Sequence, residues 1–168
     1  MITVDEIGVT EVIARLDGMS PAVAAALETK VRAYTQKLAG HIQQDKLQGQ
    51  VLNHRSGALS RSITPEMMEA SEALVAGRVF SAGDVKYAAF WEFGFQGDET
   101  VREHTRTMVF GRTVDPFIVP EFTRHVDQAP RSFMRTGLAD MAAEIERGLM
   151  RTVVLAMRTS DPNAGAGE

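Results

Sequence analysis

No cysteine occurs in the 168 residues. Its absence removes disulfides, thiolate zinc sites and cysteine nucleophiles together, and it fits a chain that folds in a reducing cytoplasm. No apolar run approaches the ~20 residues of a membrane span. The opening residues Met1-Ile2-Thr3-Val4-Asp5-Glu6 lack the basic start of a secretory signal. The charge imbalance is small, −4 overall, too mild to announce a nucleic-acid binder. There is no phosphate-cradling glycine loop after a strand, no HExxH and no GxSxG. What remains is 44% hydrophobic and 24% charged, ordinary for a soluble globular chain, and the length suits one domain. We place that domain at 1–159, with a Gly-, Ala- and Pro-containing tail at 160–168 expected to be disordered.

Aromatic side chains are few but concentrated. The octet Tyr87-Ala88-Ala89-Phe90-Trp91-Glu92-Phe93-Gly94 holds the single Trp and one of the two Tyr. An aromatic side chain can bury roughly 150–250 Å², so this stretch can anchor a core or an interface. As a strand it would put Tyr87, Ala89, Trp91 and Phe93 on one face; as a helix it would put Tyr87, Phe90, Trp91 and Gly94 on one stripe. In both cases Glu92 leaves the main aromatic face, either turned to solvent or paired, and Gly94 stops the element.

Elsewhere the periodicities are clearer. Ile2 to Ile7 reads as a short strand, and Thr10 as the cap of a short helix through Val12, Ile13 and Leu16, ended by Gly18. Ser20-Pro21 is a strong helix start. The stripe Val23, Leu27, Val31, Tyr34, Leu38 and Ile42 predicts a long helix stopped by Gly49, with Glu28 and Arg32 paired on its flank. Gln48 to Arg55 reads as a loop. Gly57 suggests a turn, and Thr64-Pro65 interrupts what precedes it. Leu74 to Ser81 alternates as a strand, with Pro65 to Ala73 as its candidate partner. Ser132 is placed to cap a last helix whose stripe is Met134, Leu138, Met141, Ile145, Leu149, Val153 and Ala156. Its acids lie toward the start and its arginines toward the end, as the helix dipole favours.

Residues 95 to 130 differ in character. Val101-Arg102-Glu103-His104-Thr105-Arg106 is echoed by Val119-Pro120-Glu121-Phe122-Thr123-Arg124, with Gly111-Arg112 near the middle. Two similar arms about a glycine predict a long β-hairpin, an arm over about 98–130 with Pro120 at an edge. An acidic stretch with Asp84, Glu92, Asp98 and Glu99 precedes an arginine-rich one that includes Arg106, Arg112 and Arg124. In a head-to-tail ring, one copy's arm could meet the next copy's acids. His104 and His125 could approach across the hairpin, with Glu103, Glu121 or Asp127 as a third metal ligand; solvated histidines are the expectation, with no metal and no cofactor. Glu92 as a general acid lacks a second catalytic group, so no enzyme is expected.

Three segments together resemble one family. Ser56-Gly57-Ala58-Leu59-Ser60-Arg61-Ser62-Ile63 is similar to its Thr/Ser-Gly-x-Leu-x-x-Ser-Ile segment. The aromatic octet is similar to its Tyr-Ala-x-Tyr/Phe-x-Glu-Phe-Gly segment. Arg131-Ser132-Phe133-Met134-Arg135-Thr136-Gly137-Leu138 is similar to its Arg-Pro-Phe-Leu/Met-Arg-Pro-Ala-Leu segment. The family is the minor tail-component family of long-tailed bacteriophages and prophages, the tail-completion or head–tail joining proteins. Phe95 departs from the Thr usual after Glu-Phe-Gly, and Ser132 and Thr136 replace the two prolines that start the last helix. The resemblance spans roughly residues 20 to 158.

The resemblance implies an α+β fold, a small antiparallel sheet packed by a long N-terminal and a long C-terminal helix; the extended β-hairpin arm is our own reading of the residues. It also implies a ring of identical subunits, usually six, at the neck or head-proximal end of the tail. Partners would be other copies, the tail-tube protein and the head connector, with genome DNA passing through unbound and no membrane. The location would be the virion, and the host cytoplasm during assembly. Tyr87, Phe90, Trp91 and Glu92 are then candidates for fold or subunit contact, and Arg106, Arg112 and Arg124 for arm contacts. The alternative classes are a nucleic-acid binder using the arginine arm and, more remotely, a His/Glu hydrolase.

Overall fold

The computed structural model describes residues 4–5, 9–15, 20–52, 57–83, 85 and 87–160; for 4–15 and for Ser160 only the backbone is described. The mixed helix-and-strand class holds: two long helices and small antiparallel sheets.

Helix α1 (Pro21–His41) begins where the sequence predicts. Ser20 Oγ accepts the Val23 N–H at 3.4 Å, and Pro21 occupies the first turn, where no N–H is required. Every member of the predicted stripe, from Val23 to Ile42, is buried. Leu27, Leu38 and Ile42 are fully so, each worth about 1.5–3 kcal/mol relative to exposure. From Ile42 to Gln50 the chain continues as a π-helical segment, whose wider turn ends at Gly49 with φ +118°. The stop residue is therefore as expected, and the loop begins later than expected. Residues 53–55, the remainder of that predicted loop, lie outside the described residues.

Short helix α2 (Ala58–Ser62) leads directly into β3 (Ile63–Ala70). β3 pairs antiparallel with β4 (Leu74–Ser81), from Ile63 opposite Ser81 to Ala70 opposite Val75. β4 is the strand predicted, and it lies inside the sheet with Val75 and Val79 fully buried. Its other edge is taken by β2 (Val9–Arg15), which also pairs with β1 (Val4–Asp5), giving the order β1-β2-β4-β3. The helix expected from Thr10 is thus wrong. Val9, Thr10, Val12 and Ile13 are β-branched, and the open edge of β4 satisfies their backbone groups along six register positions. Spacing alone could not weigh that tertiary partner against a helix. Gly18, the expected helix stop, is outside the described residues, as are most of Ile2 to Ile7.

Helix α4 (Phe133–Ser160) lies against α1. Met134, Leu138, Met141, Ile145 and Ala156 of its predicted stripe are buried, while Leu149 and Val153 are half-buried. Polar ties fix the two helices. Lys37 Nζ lies 2.5 Å from Glu144 Oε1, and Lys46 Nζ 2.5 Å from Asp140 Oδ2. His41 stands between Asp45 (2.6 Å) and Asp140 (3.3 Å). The hydrogen bonds from Lys46 and then His41 hold the Asp140 carboxyl below the usual carboxylate range. The helix runs through Ser160, one residue past the expected domain end; the expected disordered tail from 161 on lies outside the described residues.

Candidate functional site

The aromatic octet resolves as helix α3 (Tyr87–Phe93), stopped by Gly94 at φ +78°. Its polarity is the reverse of the simple expectation. Tyr87 is 41% and Phe90 46% exposed, Trp91 is half-buried, and Glu92 is 1% exposed. The acid has left the aromatic face, as expected, but it turns inward and not to water.

A buried carboxylate needs partners, and α4 supplies them. The Met134 N–H donates to Glu92 Oε2 at 2.9 Å and the Arg135 N–H to Oε1 at 3.1 Å. These are the second and third N–H groups of the helix, ones that no carbonyl inside it can satisfy. A side chain 42 residues before Met134 therefore does the work of a local cap, with a negative charge at the positive end of the helix dipole. Ser132, expected to be the cap, instead donates its hydroxyl to the Glu92 carbonyl at 2.8 Å. The Arg131 N–H donates to the Trp91 carbonyl at 2.7 Å. Arg131 lies over the Trp91 ring at 5.6 Å, and Arg135 over the Phe93 ring at 4.7 Å with its Nε 3.7 Å from Glu92. Thr136 donates its hydroxyl to the Ser132 carbonyl at 2.5 Å and tightens the first turn. The aromatic octet and the start of α4 thus form one joint.

The arm springs from this joint. β5 (Phe95–Val101) pairs with β8 (Phe122–Gln128), and β6 (His104–Val109) with β7 (Arg112–Val119). The hairpin spans 95–128, starting three residues before and ending two residues before the expected 98–130. Both strands are interrupted at one level, by Arg102-Glu103 and Pro120-Glu121. Pro120, which has no N–H to give, sits in that gap. The Phe95 ring meets Phe90 edge-on at 5.0 Å, joining the arm's root to the outer face of α3. At the far end Phe110 and Gly111 form a two-residue turn with φ +48° and +78°. Such a turn favours Asn or Gly at its first position, and a bulky residue there is strained. Phe110 is also completely exposed.

The predicted arm contacts divide. Arg124 is engaged at home, its Nε 2.9 Å from Glu99 across the β5–β8 ladder. His125 Nδ1 lies 2.8 Å from Asp98 in the same way. Asp98 and Glu99 are therefore not left for a neighbour's arm, because cross-strand pairing reaches them first; Asp84 lies outside the described residues. Arg106 and Arg112 are exposed and have no ion-pair partner among the described residues. His104 faces Val119 and His125 faces Asp98, so the hairpin does not join the two histidines. Among the described residues no three His, Asp or Glu side chains are placed to hold a metal ion, and no helix is long and apolar enough to cross a membrane.

Two apolar surfaces escaped the sequence reading. One is the arm's outer part: Met108 (58% exposed), Phe110, Phe117 and Ile118 (65% exposed). The other is a second stripe on α4, Met150, Val154 and Met157, with Leu155 beside it. The sole advance signal was an aromatic preceding Gly111 at the hairpin's centre. Set against protein-family models, curated proteins and solved structures, the chain matches nothing.

Proposed function

We propose that this chain is a structural subunit of a long-tailed phage or prophage virion, one that assembles into a ring at the head–tail junction or the head-proximal end of the tail. The observation that carries the reading is the arm. From 95 to 128 no residue is buried, yet the segment holds strongly apolar side chains and a strained, fully exposed Phe110 at its tip. Strain and exposed apolar surface persist where another molecule makes use of them. The family-like segments support the same reading, since the octet and the start of α4 together set the arm's root. The working mechanism is geometric: a capped joint aims a hairpin, and the hairpin engages a neighbour.

A nucleic-acid-binding arm draws less support. Arg124 is paired, and between 102 and 121 three arginines are balanced by Glu103, Asp115 and Glu121. Few phosphates could be neutralised, so any DNA affinity should be weak and should show little salt dependence.

Light scattering on concentrated protein, alone and with purified tail tubes, tests the ring. Growth beyond the monomer in either sample is expected. A strict monomer in both would count against the proposal.

A further inference from the structure

We infer that the arm tip of one copy seats on the distal half of α4 of the next copy, with Phe110 as the anchor. This rests on the ring reading, because a repeating contact between copies must join two different surfaces of one chain. The exposed apolar side chains of the described residues include two such surfaces, the arm's outer part and the stripe Met150, Val154 and Met157, while Tyr87 and Phe90 on α3 are less exposed than Met108, Ile118, Met150 or Met157. Most of the large, strongly exposed apolar side chains belong to one or the other.

Reach is sufficient. Fifteen residues of extended chain, from Phe95 to Phe110, span about 50 Å at ~3.3 Å each. Helix α4, at ~1.5 Å per residue, is about 42 Å long. The tip therefore extends on the scale of a whole subunit, and β6 and β7 pack appreciably on each other only.

The chemistry is complementary. The positions 150, 154 and 157 recur at helical spacing and form one ridge of thioether and branched aliphatic groups. Thioethers adapt to an aromatic edge and make favourable sulfur–ring contacts. Arg147, Arg151 and Arg158 run beside that ridge, and no acid follows Glu146 within the helix. A guanidinium over an aromatic ring is a contact that Arg131 and Arg135 already make inside this chain. The hairpin face of Phe117 carries Asp115 together with Arg106, the register partner of Phe117, so it brings no net charge against that cationic flank. Two α4 ridges facing each other would instead oppose like charges, so the helix pairs with the arm and not with itself.

The absence of cysteine makes the test clean. Met108→Cys and Val154→Cys proteins are mixed at high concentration and treated with a short bismaleimide, with light scattering on the same samples. Thr29→Cys, exposed on α1, sets the collision background. The expected result is a mixed adduct far above that background, lowered roughly tenfold or more when Phe110→Ala is added to the arm protein, as for loss of an aromatic anchor. Self-association without the mixed adduct overturns the seat and leaves the ring reading intact. An equal adduct from the Met108→Cys protein alone, or one indifferent to Phe110→Ala, overturns it as well. A monomer with no adduct also overturns it, while the tail-tube experiment judges the ring separately.

Discussion

The two long helices and the hairpin arm treat the same kind of side chain in opposite ways. On α1 a leucine or valine at every third or fourth position disappears into the core; on the arm an isoleucine, a methionine and a phenylalanine stay in water. The charges divide in parallel. In the body, cations such as Lys37 and Lys46 tie α1 and its π-helical extension to α4, while on the outer arm Arg106 and Arg112 hold no acid among the described residues. One region therefore carries the stability of the isolated chain, and the other carries apolar surface that no described part of the chain covers. Changes to the body should unfold the protein, and changes to the outer arm should leave it folded but solitary.

The largest loss is expected at the joint between the regions. Glu92→Ala leaves one buried and one part-buried N–H group of α4 without its acceptor, and hydrogen bonds to a charged group are worth about 1.5–3 kcal/mol each. Urea unfolding followed by Trp91 fluorescence should show destabilisation of about 3–5 kcal/mol, and Glu92→Gln roughly half of that. A loss under 1 kcal/mol for Glu92→Ala would mean that the cap is dispensable. Leu27→Ala, at a fully buried position, should cost about 2–5 kcal/mol by the same assay.

Gly94 turns the chain from α3 into the arm. A Cβ there would lie 2.7 Å from the Gln128 carbonyl oxygen, at φ +78°. Gly94→Ala should therefore cost about 1–3 kcal/mol, read from the urea midpoint.

The body was largely legible in the sequence because its signals are local. Ser20-Pro21 and a six-membered apolar stripe specify α1 without knowledge of anything else. Where the reading failed or left alternatives open, the cause was a tertiary partner. Thr10 to Arg15 became a strand because β4 had a free edge, and Glu92 turned inward because α4 needed a cap. The ladder pairing of Asp98 with His125 and Glu99 with Arg124 could be known only once the register was fixed. The hairpin itself was visible in its near-repeat. The exposure of its tip was not, since that depends on what the rest of the fold leaves uncovered.

Phe110→Asn should sharpen the contrast by acting in opposite directions. Asn fits the positive φ of the turn, so the isolated protein should be unchanged or stabilised by a few tenths of a kcal/mol. Assembly measured by light scattering should nevertheless fall. Loss of both stability and assembly would place Phe110 in the fold and not at a contact.

The smallest effect concerns pH. The Asp140 carboxyl titrates lower in the folded chain than in the unfolded one, held down by Lys46 and His41. Its contribution is therefore fully present above the unfolded value near 3.8 and is lost as pH falls through the lower folded value. Asp140→Asn should flatten the acid limb of stability against pH below about 4, and an unaltered limb would show that other carboxylates dominate.

The central claim is that the arm's apolar end is covered by another chain when the protein works. Hydroxyl-radical footprinting of Met108 and Phe110 tests it most directly, comparing dilute monomer with protein assembled on tail tubes. Oxidation of both residues should fall several-fold on assembly, while Met68, exposed on β3, serves as the reference within the body. Equal oxidation of Met108 and Phe110 in the two states would contradict the account.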